Sequence, residues 1–173
     1  VGNSMYAQSL ISEGYFLRID EYGNILNEST YSNQYGFLIT RNAVTTSTGY
    51  TITGAIITPV GGDFNQMFLL NTNGEGIEVS RSIVSNPVNS NESSANSIYC
   101  NPNGICLLVG YWIDESGTWQ PYAVKTDTLG NIIWEQVYDN YPLLNWLTDI
   151  IPVPNEPAYY VIGTVGFNVM NGD

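Results

Sequence analysis

Short apolar runs separated by turn residues recur along the whole chain. Runs rich in Val, Ile, Leu, Tyr and Phe begin about ten residues apart, and Asn, Asp, Gly, Pro, Ser and Thr fill the gaps between them. No window of about a dozen residues repeats its apolar positions with the helical period of 3.6. Short runs bounded by turn residues are typical of antiparallel β-strands. The pattern therefore predicts an all-β chain.

One motif along this pattern occurs three times. It consists of an apolar strand, a turn that opens on Asp or Asn (Asx) and closes on Gly, and a second apolar strand. The copies are Tyr15–Ile25, Met67–Ile77 and Tyr122–Ile132. Their turn glycines lie 53 and 54 residues apart, at Gly23, Gly76 and Gly130. A fixed spacing of this kind indicates an internal structural repeat.

A second motif has the same period. Its copies are Gly49–Gly54, Ile105–Gly110 and Ala158–Gly163, with the final glycines 56 and 53 residues apart. Four short strands in a unit of about 40–55 residues are typical of one blade of a β-propeller. A β-sandwich also contains short strands, but it gives no reason for a self-repeat of this length. The shared period therefore favours a propeller.

The best-preserved repeat, Tyr122–Trp134, allows a family resemblance to be stated. With the second motif it reads Gly-Tyr-x-Ile-x-Gly followed by Tyr-x-x-Lys-Thr-Asp-x-x-Gly-Asn-Ile-x-Trp, although Asn27 and Val79 replace the final Trp in the other copies. This resembles the repeats of large secreted bacterial surface proteins of the Bacteroidetes type. The resemblance implies a propeller fold and display at the cell surface, often through a C-terminal sorting domain for type IX secretion. It specifies fold better than function.

The repeats divide the chain into four segments. We expect an all-β propeller segment of about three four-stranded antiparallel blades, with 1–34 as an outer half-blade, 35–86 and 87–141 as blades, and 142–173 as an inner half-blade. The chain starts without Met or a leader, and it opens and closes at the same phase of the repeat. We therefore expect a fragment of a longer ring, or subunits that complete one another's split blades. Two copies would then close a six-bladed ring, or many would add head to tail into a filament.

Charge and composition exclude several classes of function. Four basic residues face sixteen acidic ones, the net charge is −12, and there is no His. Such a charge disfavours nucleic acid and anionic lipid, and no apolar run approaches the roughly 18–20 residues of a membrane-spanning helix. Without His, the commonest general base and metal ligand is missing. We therefore expect no catalytic residue, cofactor or metal. Two of the four basic residues, Arg18 and Lys125, occupy equivalent positions in their repeats, and Asn71 occupies that position in the middle repeat.

The two cysteines bracket a predicted tight hairpin. Between Cys100 and Cys106, Pro102 favours a type I turn and Gly104 suits the left-handed position that completes a three-residue loop. This arrangement predicts a cross-strand disulfide and an oxidising compartment, with two free buried thiols as the alternative. Alignment of the repeats places two apolar pairs at the positions of the cysteines: Val44 with Tyr50, and Val153 with Tyr159.

Other candidate sites have a functional and a structural interpretation. Asn27 and Asn91 fit the glycosylation sequon, which also arises by chance in an Asn- and Ser-rich chain. Asp20–Asn24 and Asp127–Asn131 could be calcium loops, but each has too few ligands, so Asx turns are favoured. The motif Gly-x-x-x-Trp that ends at Trp134 also occurs in quinoprotein propellers, where the Trp has a packing role.

Aromatic and acidic side chains supply the remaining candidates. Trp112 and Trp119 flank a predicted hairpin turn and are the tryptophans most expected to be exposed and to contact a ligand. Four carboxylates could in principle serve a glycosidase, although their placement favours a solvated surface. They are Asp114, Glu115, Asp139 and Asp149.

The chain is therefore expected to be a non-catalytic extracellular or cell-surface scaffold or recognition module, such as an adhesin or a surface-fibre component. Its partners would be surface proteins or glycans, further repeats of its own chain, or other copies of itself. The alternative is a segment of a carbohydrate-active or quinoprotein-like propeller enzyme with its active residues on loops or outside this segment. A pocket with convergent carboxylates would favour the enzyme.

Overall fold

Antiparallel β-strands account for the secondary structure of the described chain. The computed structural model describes residues 12–33, 37–58, 64–84, 92–138 and 145–166. These ranges contain twelve strands and no helix, so no helix in them could cross a membrane. The strands are β1 Gly14–Ile19, β2 Ile25–Tyr31, β3 Leu38–Thr45, β4 Gly49–Thr58, β5 Phe64–Asn73, β6 Glu78–Ile83, β7 Glu92–Cys100, β8 Cys106–Ile113, β9 Trp119–Thr126, β10 Ile132–Val137, β11 Asn145–Pro152 and β12 Tyr159–Val165.

These strands form four sheets in which each strand pairs with its sequence neighbours. Sheet A contains β1 and β2, sheet B contains β3 to β6, sheet C contains β7 to β10, and sheet D contains β11 and β12. All pairings between strands are antiparallel. The prediction of an all-β chain with four-stranded antiparallel sheets is confirmed. The described sheets do not close into a ring, so the propeller and the division into blades stay predictions.

The sheets stack face to face, with an apolar core at each junction. Phe68 and Leu70 of sheet B pack with Tyr31 of sheet A, while Met67 and Leu69 belong to the core shared with sheet C. Successive residues of a strand point to opposite faces, so a strand between two sheets must be apolar on both. A fully buried side chain of this size contributes about 1.5–3 kcal/mol through the hydrophobic effect. This double burial explains the unbroken apolar runs of β5 and β8.

A β-bulge explains why the second motif ends on glycine. Gly110 lies opposite Ala95 at a shift in the register between Ala95 and Ser97, and a Cβ on Gly110 would lie 1.9 Å from the carbonyl oxygen of Ser94. Gly54 stands in the same relation to the carbonyl oxygen of Ile39, also at 1.9 Å. A bulge in the first strand thus presses a backbone carbonyl against the second strand. Only glycine leaves room for this close approach.

The register corrects two details of the repeat alignment. Tyr50 lies opposite Thr45 rather than Val44, and Tyr159 lies opposite Pro152 rather than Val153. The first hairpins of sheets B, C and D have loops of different length, and this difference moves the facing residues by one position. Ser80 lies opposite Asn71, just as Trp134 lies opposite Lys125. Asn27 lies opposite Arg18 in the same way. Ser80 rather than Val79 therefore occupies the position of the motif's final Trp.

Candidate functional site

Five hairpins in the described ranges share one turn geometry. In each, the first side chain is Asp or Asn, and its Oδ1 accepts the backbone N–H groups of the third and fifth residues at 2.9–3.0 Å. The fourth residue is Gly with φ between 74° and 85°, a conformation that side chains disfavour. The turns are Asp20–Asn24, Asn73–Ile77, Asn101–Ile105, Asp114–Thr118 and Asp127–Asn131.

This geometry supports the Asx-turn interpretation over calcium loops. The Oδ1 oxygens point inward to backbone donors, and Oδ2 of Asp127 accepts a further hydrogen bond from Asn131 Nδ2 at 2.7 Å. Across the described ranges, no three His, Cys, Asp or Glu side chains lie close enough to hold a metal ion. Asn rather than Asp is the first residue of two of the five turns, as expected if this side chain serves to accept hydrogen bonds from the backbone.

The turns between third and fourth strands also hold neighbouring sheets together. Asn71 Nδ2 in sheet B donates to the carbonyl oxygen of Thr128 at 2.7 Å, and Ser82 Oγ donates to that of Leu129 at 2.7 Å. One sheet earlier, the Tyr31 hydroxyl donates to the carbonyl oxygen of Gly76 at 2.7 Å. The Asn73–Ile77 turn therefore docks on β2, and the Asp127–Asn131 turn docks on β5 and β6. Each of these contacts holds a turn against the preceding sheet.

These contacts bear on the two sequons. The side-chain amide of Asn27 donates to the carbonyl oxygen of Glu75, and Asn27 is half-buried in β2. An amide nitrogen used in this way is poorly placed to accept a glycan. Asn91 lies outside the described residues, so its modification stays a prediction.

A groove of about 770 Å³ runs between sheets B and C, on the side of their first hairpins. Ten of the fourteen lining residues carry a hydroxyl or side-chain amide group, and none of the fourteen carries a formal charge. Residues 101–104 form one wall, and residues 46–48, the loop after β3, form the other. The lining residues are Thr45, Thr46, Ser47, Thr48, Asn71, Ser80, Tyr99, Cys100, Asn101, Pro102, Asn103, Gly104, Thr128 and Leu129.

The cysteine pair stabilises one wall of this groove. Cys100 and Cys106 lie directly opposite each other at the ends of β7 and β8, with their sulfur atoms at a disulfide distance of 2.04 Å. Gly104 has φ +81° in the intervening loop, as the three-residue hairpin requires. A covalent link at the base of the loop restricts how far the wall can move.

The two tryptophans do not form an exposed pair. Trp112 is half-buried and packs against the core between sheets B and C. Trp119 is also half-buried, stacks on Tyr111 with ring centroids 4.3 Å apart, and meets Trp146 of sheet D at 5.9 Å. The two indoles therefore lie on opposite faces of sheet C. The expectation of an exposed pair is wrong, because stacked sheets bury both faces of a central sheet.

The candidate carboxylates are dispersed. Asp114 opens a turn, and Glu115 beside it is exposed. Asp149 accepts hydrogen bonds from Ser97 Oγ at 2.9 Å and from the Ile150 N–H at 2.8 Å. Asp139 lies outside the described residues. The groove between sheets B and C itself contains no carboxylate.

Hydrogen bonds in the turns change the acidity of three aspartates. The side chain of Asn24 lowers the pKa of Asp20, and that of Asn131 lowers the pKa of Asp127. The Ser116 hydroxyl has the same effect on the pKa of Asp114. The fold therefore favours the charged form of each group. This contribution is present above the unfolded pKa near about 4 and is lost as the pH falls through the lower folded pKa.

Replacing these three aspartates by asparagine should flatten the acid dependence of stability. Asn73 and Asn101 make the same turn, so the variant D20N/D114N/D127N keeps the geometry and loses the titrating groups. We expect the difference in Tm between wild type and variant to shrink as the pH falls from about 5 to about 2. Thermal unfolding followed by circular dichroism measures it. A difference that stays constant over this range would contradict the assignment.

Fold and groove together define an all-β protein of stacked antiparallel sheets with an uncharged surface groove. No protein-family model matches the chain, and no curated protein matches it.

Proposed function

We propose that this chain is an extracellular, non-catalytic recognition or scaffold module, arranged as a segment of a β-propeller like those of secreted bacterial surface proteins. The observation that carries the proposal is the uncharged groove of about 770 Å³ between sheets B and C. Its size suits a small ligand, or a segment of a larger one.

The chemistry of the groove indicates its ligand. The protein has a net charge of −12, yet the lining of this groove has no acidic or basic side chain. Hydroxyl and amide groups exchange hydrogen bonds with neutral partners, and Tyr99 adds an aromatic surface. A neutral glycan matches this mixture of polar groups and one aromatic ring. The groove also lacks Asp, Glu and Lys, so it offers no carboxylate pair for glycoside hydrolysis.

Two features support an extracellular location. The Cys100–Cys106 disulfide is of a kind that persists in oxidising compartments. Neutral polar residues and a strong acidic excess also suit a surface that must stay soluble at high local density. Adhesion or a role in a surface fibre follows from combining such a location with a binding groove and a repetitive scaffold.

Blocking the groove should abolish binding of a neutral glycan. Asn103 is the third residue of the turn that forms the groove wall, and Ser116 is the third residue of an equivalent turn that does not line the groove. Both are exposed, so a bulky side chain at either site leaves the core intact. We expect N103W to weaken binding at least about tenfold, the equivalent of about 1.4 kcal/mol, and S116W to leave it unchanged.

The binding assay uses a panel of neutral hexose oligosaccharides, titrated by calorimetry against the wild type and both variants. Acidic oligosaccharides serve as a second panel, and the net charge predicts that they bind more weakly. The proposal fails if no neutral oligosaccharide binds, or if N103W and S116W reduce binding equally.

A further inference from the structure

Sheets A and D are complementary halves of the four-stranded sheets B and C. In sheets B and C the second strand, which ends its motif on Gly54 or Gly110, pairs with a third strand that leads into an Asx turn. Among the described strands, β12 carries the equivalent Gly163 but has only β11 as a neighbour, whereas β1 leads into the equivalent turn but has only β2. Within the described ranges, sheet D therefore contains a first and a second strand only, and sheet A contains a third and a fourth strand only.

Burial shows what these strands lack. Ile52 and Leu108, two residues before the motif glycine, are 2% and 0% exposed, but the equivalent Val161 on β12 is 41% exposed. The next position repeats the pattern, since Val109 is 0% and Ile162 is 50% exposed. The difference is not one of residue type, because all five side chains are aliphatic. In the described part of the chain, β4 and β8 each have a third strand and a following sheet beside them, and β12 has neither.

β1, which has one free edge among the described strands, shows the same deficit. Leu17 is 43% exposed, whereas its equivalents Leu70 and Val124, three residues before the Asx of the turn, are 0% exposed. Tyr15 is 52% exposed, and the equivalent Tyr122 is 0% exposed. Apolar side chains along an open strand edge favour pairing with another strand. Both edges are therefore built for burial inside a four-stranded sheet.

We propose that β1 and β2 of a second copy of this chain complete sheet D, and that the exchange is reciprocal. The repeats specify the register. Gly54 pairs with Phe68 and Gly110 with Tyr122, and these third-strand residues both lie five before the Asx of the turn. Tyr15 is the equivalent residue of β1. In the completed sheet, Gly163, Val161 and Tyr159 belong to one copy. They lie opposite Tyr15, Leu17 and Ile19 of the second copy, respectively.

The turn of the second copy would also find a matching surface. In sheet B, Asn71 donates to the turn that follows β9 at Thr128. The equivalent of Asn71 in sheet C is Lys125, and the equivalent of Thr128 in the incoming turn is Glu21. The docking contact between sheets thus becomes one between a cation and an acidic turn. This charge complementarity favours β1 and β2 of another copy as the occupant.

The described residues of one copy contain two whole sheets and two half-sheets, so a reciprocal exchange between two copies leaves none of these half-sheets incomplete. A reciprocal exchange also satisfies the two-fold symmetry that most homodimers adopt. The inference rests on the repeat equivalence and does not depend on what the groove binds.

Cysteine cross-linking tests the register. Tyr160 and Arg18 would lie directly opposite each other, as Leu107 and Lys125 do within sheet C. Both are exposed in the single chain, so substitution there should not disturb its fold. A mixture of Y160C and R18C chains should form a covalent heterodimer on mild oxidation, because directly facing Cβ atoms are about 4.5–5.5 Å apart. The control is a mixture of Y160C with Y22C, because Tyr22 is 82% exposed in a turn. This mixture should form at least about tenfold less covalent heterodimer than the mixture of Y160C with R18C.

Sedimentation of the 173-residue chain provides a second readout. We expect twice the mass of one chain for the wild type. L17E should raise the dissociation constant at least about 100-fold, because the carboxylate would be buried without a partner. V79E is the matched control, since Val79 is 69% exposed on a complete sheet and should leave the dimer intact. A monomeric wild type, an open filament, equal cross-linking of both cysteine mixtures, or a dimer indifferent to L17E would each overturn the proposal.

Discussion

Replacement of Gly110 by Ala is expected to lower the free energy of unfolding by about 3 kcal/mol. The added Cβ would lie 1.9 Å from the Ser94 carbonyl oxygen and 3.0 Å from the Ala95 Cα, both of them backbone atoms. A flexible side chain could rotate away from such a contact, but a backbone carbonyl inside a bulge cannot. Relief of the clash requires β7 and β8 to separate, and this disrupts the sheet that shares one core with sheet B and another with sheet D.

Gly74 provides a control for this substitution within the same chain. No heavy atom lies within 4 Å of the position where its Cβ would stand, and its φ lies outside the left-handed region. G74A should therefore be neutral, or stabilising by about 0.4–1 kcal/mol, because Ala restricts the unfolded chain. Urea unfolding at one fixed protein concentration compares the variants. If G110A matched G74A in stability, the bulge would not be what requires glycine at this position.

Truncation of Leu108 to Ala is expected to cost about 3 kcal/mol. Leu108 is fully buried on the face of sheet C that packs against sheet B, within the core that includes Met67 and Tyr122. Its removal takes apolar atoms out of a close-packed interior and leaves a cavity that the strands on either side cannot fill. The loss should appear as a lower denaturant midpoint with an unchanged m-value.

Val161 occupies the same repeat position in sheet D and makes a matched comparison. Because its side chain is 41% exposed, V161A should cost less than about 1 kcal/mol in the single chain. At protein concentrations where two copies associate, the cost should rise toward that of L108A. Unfolding measured over a range of protein concentrations separates the two regimes. Equal costs for L108A and V161A in the monomer would contradict the burial difference between the two sheets.

The site was only partly predictable. The Cys100–Cys106 pair and its Gly104 turn follow from local spacing, because a three-residue hairpin brings its own ends together. The groove could not be derived in the same way, since Thr46 and Thr128 belong to different sheets and meet only when the sheets stack. One signal was present: Asn71 stands at a repeat position that is otherwise basic, and in the structure it spans the gap between sheets B and C.

The tryptophans show the opposite failure. Trp112 and Trp119 flank a polar turn, and proximity to a turn suggested exposure. Whether an aromatic ring is covered depends on what packs against each face of its sheet, and Trp146 of sheet D, far along the chain, contacts Trp119. Sequence distance contains no information about that contact. Only the stacking order of the sheets supplies it.

By itself, the sequence determined the strands and their turns, because these depend on side-chain alternation, on glycine at left-handed positions and on Asx hydrogen bonds within five residues. The tertiary structure decided the exact register of each hairpin, which face of each sheet is covered, and the reason for Gly54, Gly110 and Gly163. Those features depend on contacts between residues brought together from different strands and different sheets. The uncharged groove and the exposed edges of β1 and β12 belong to this second group, because both arise where one sheet meets, or lacks, the next.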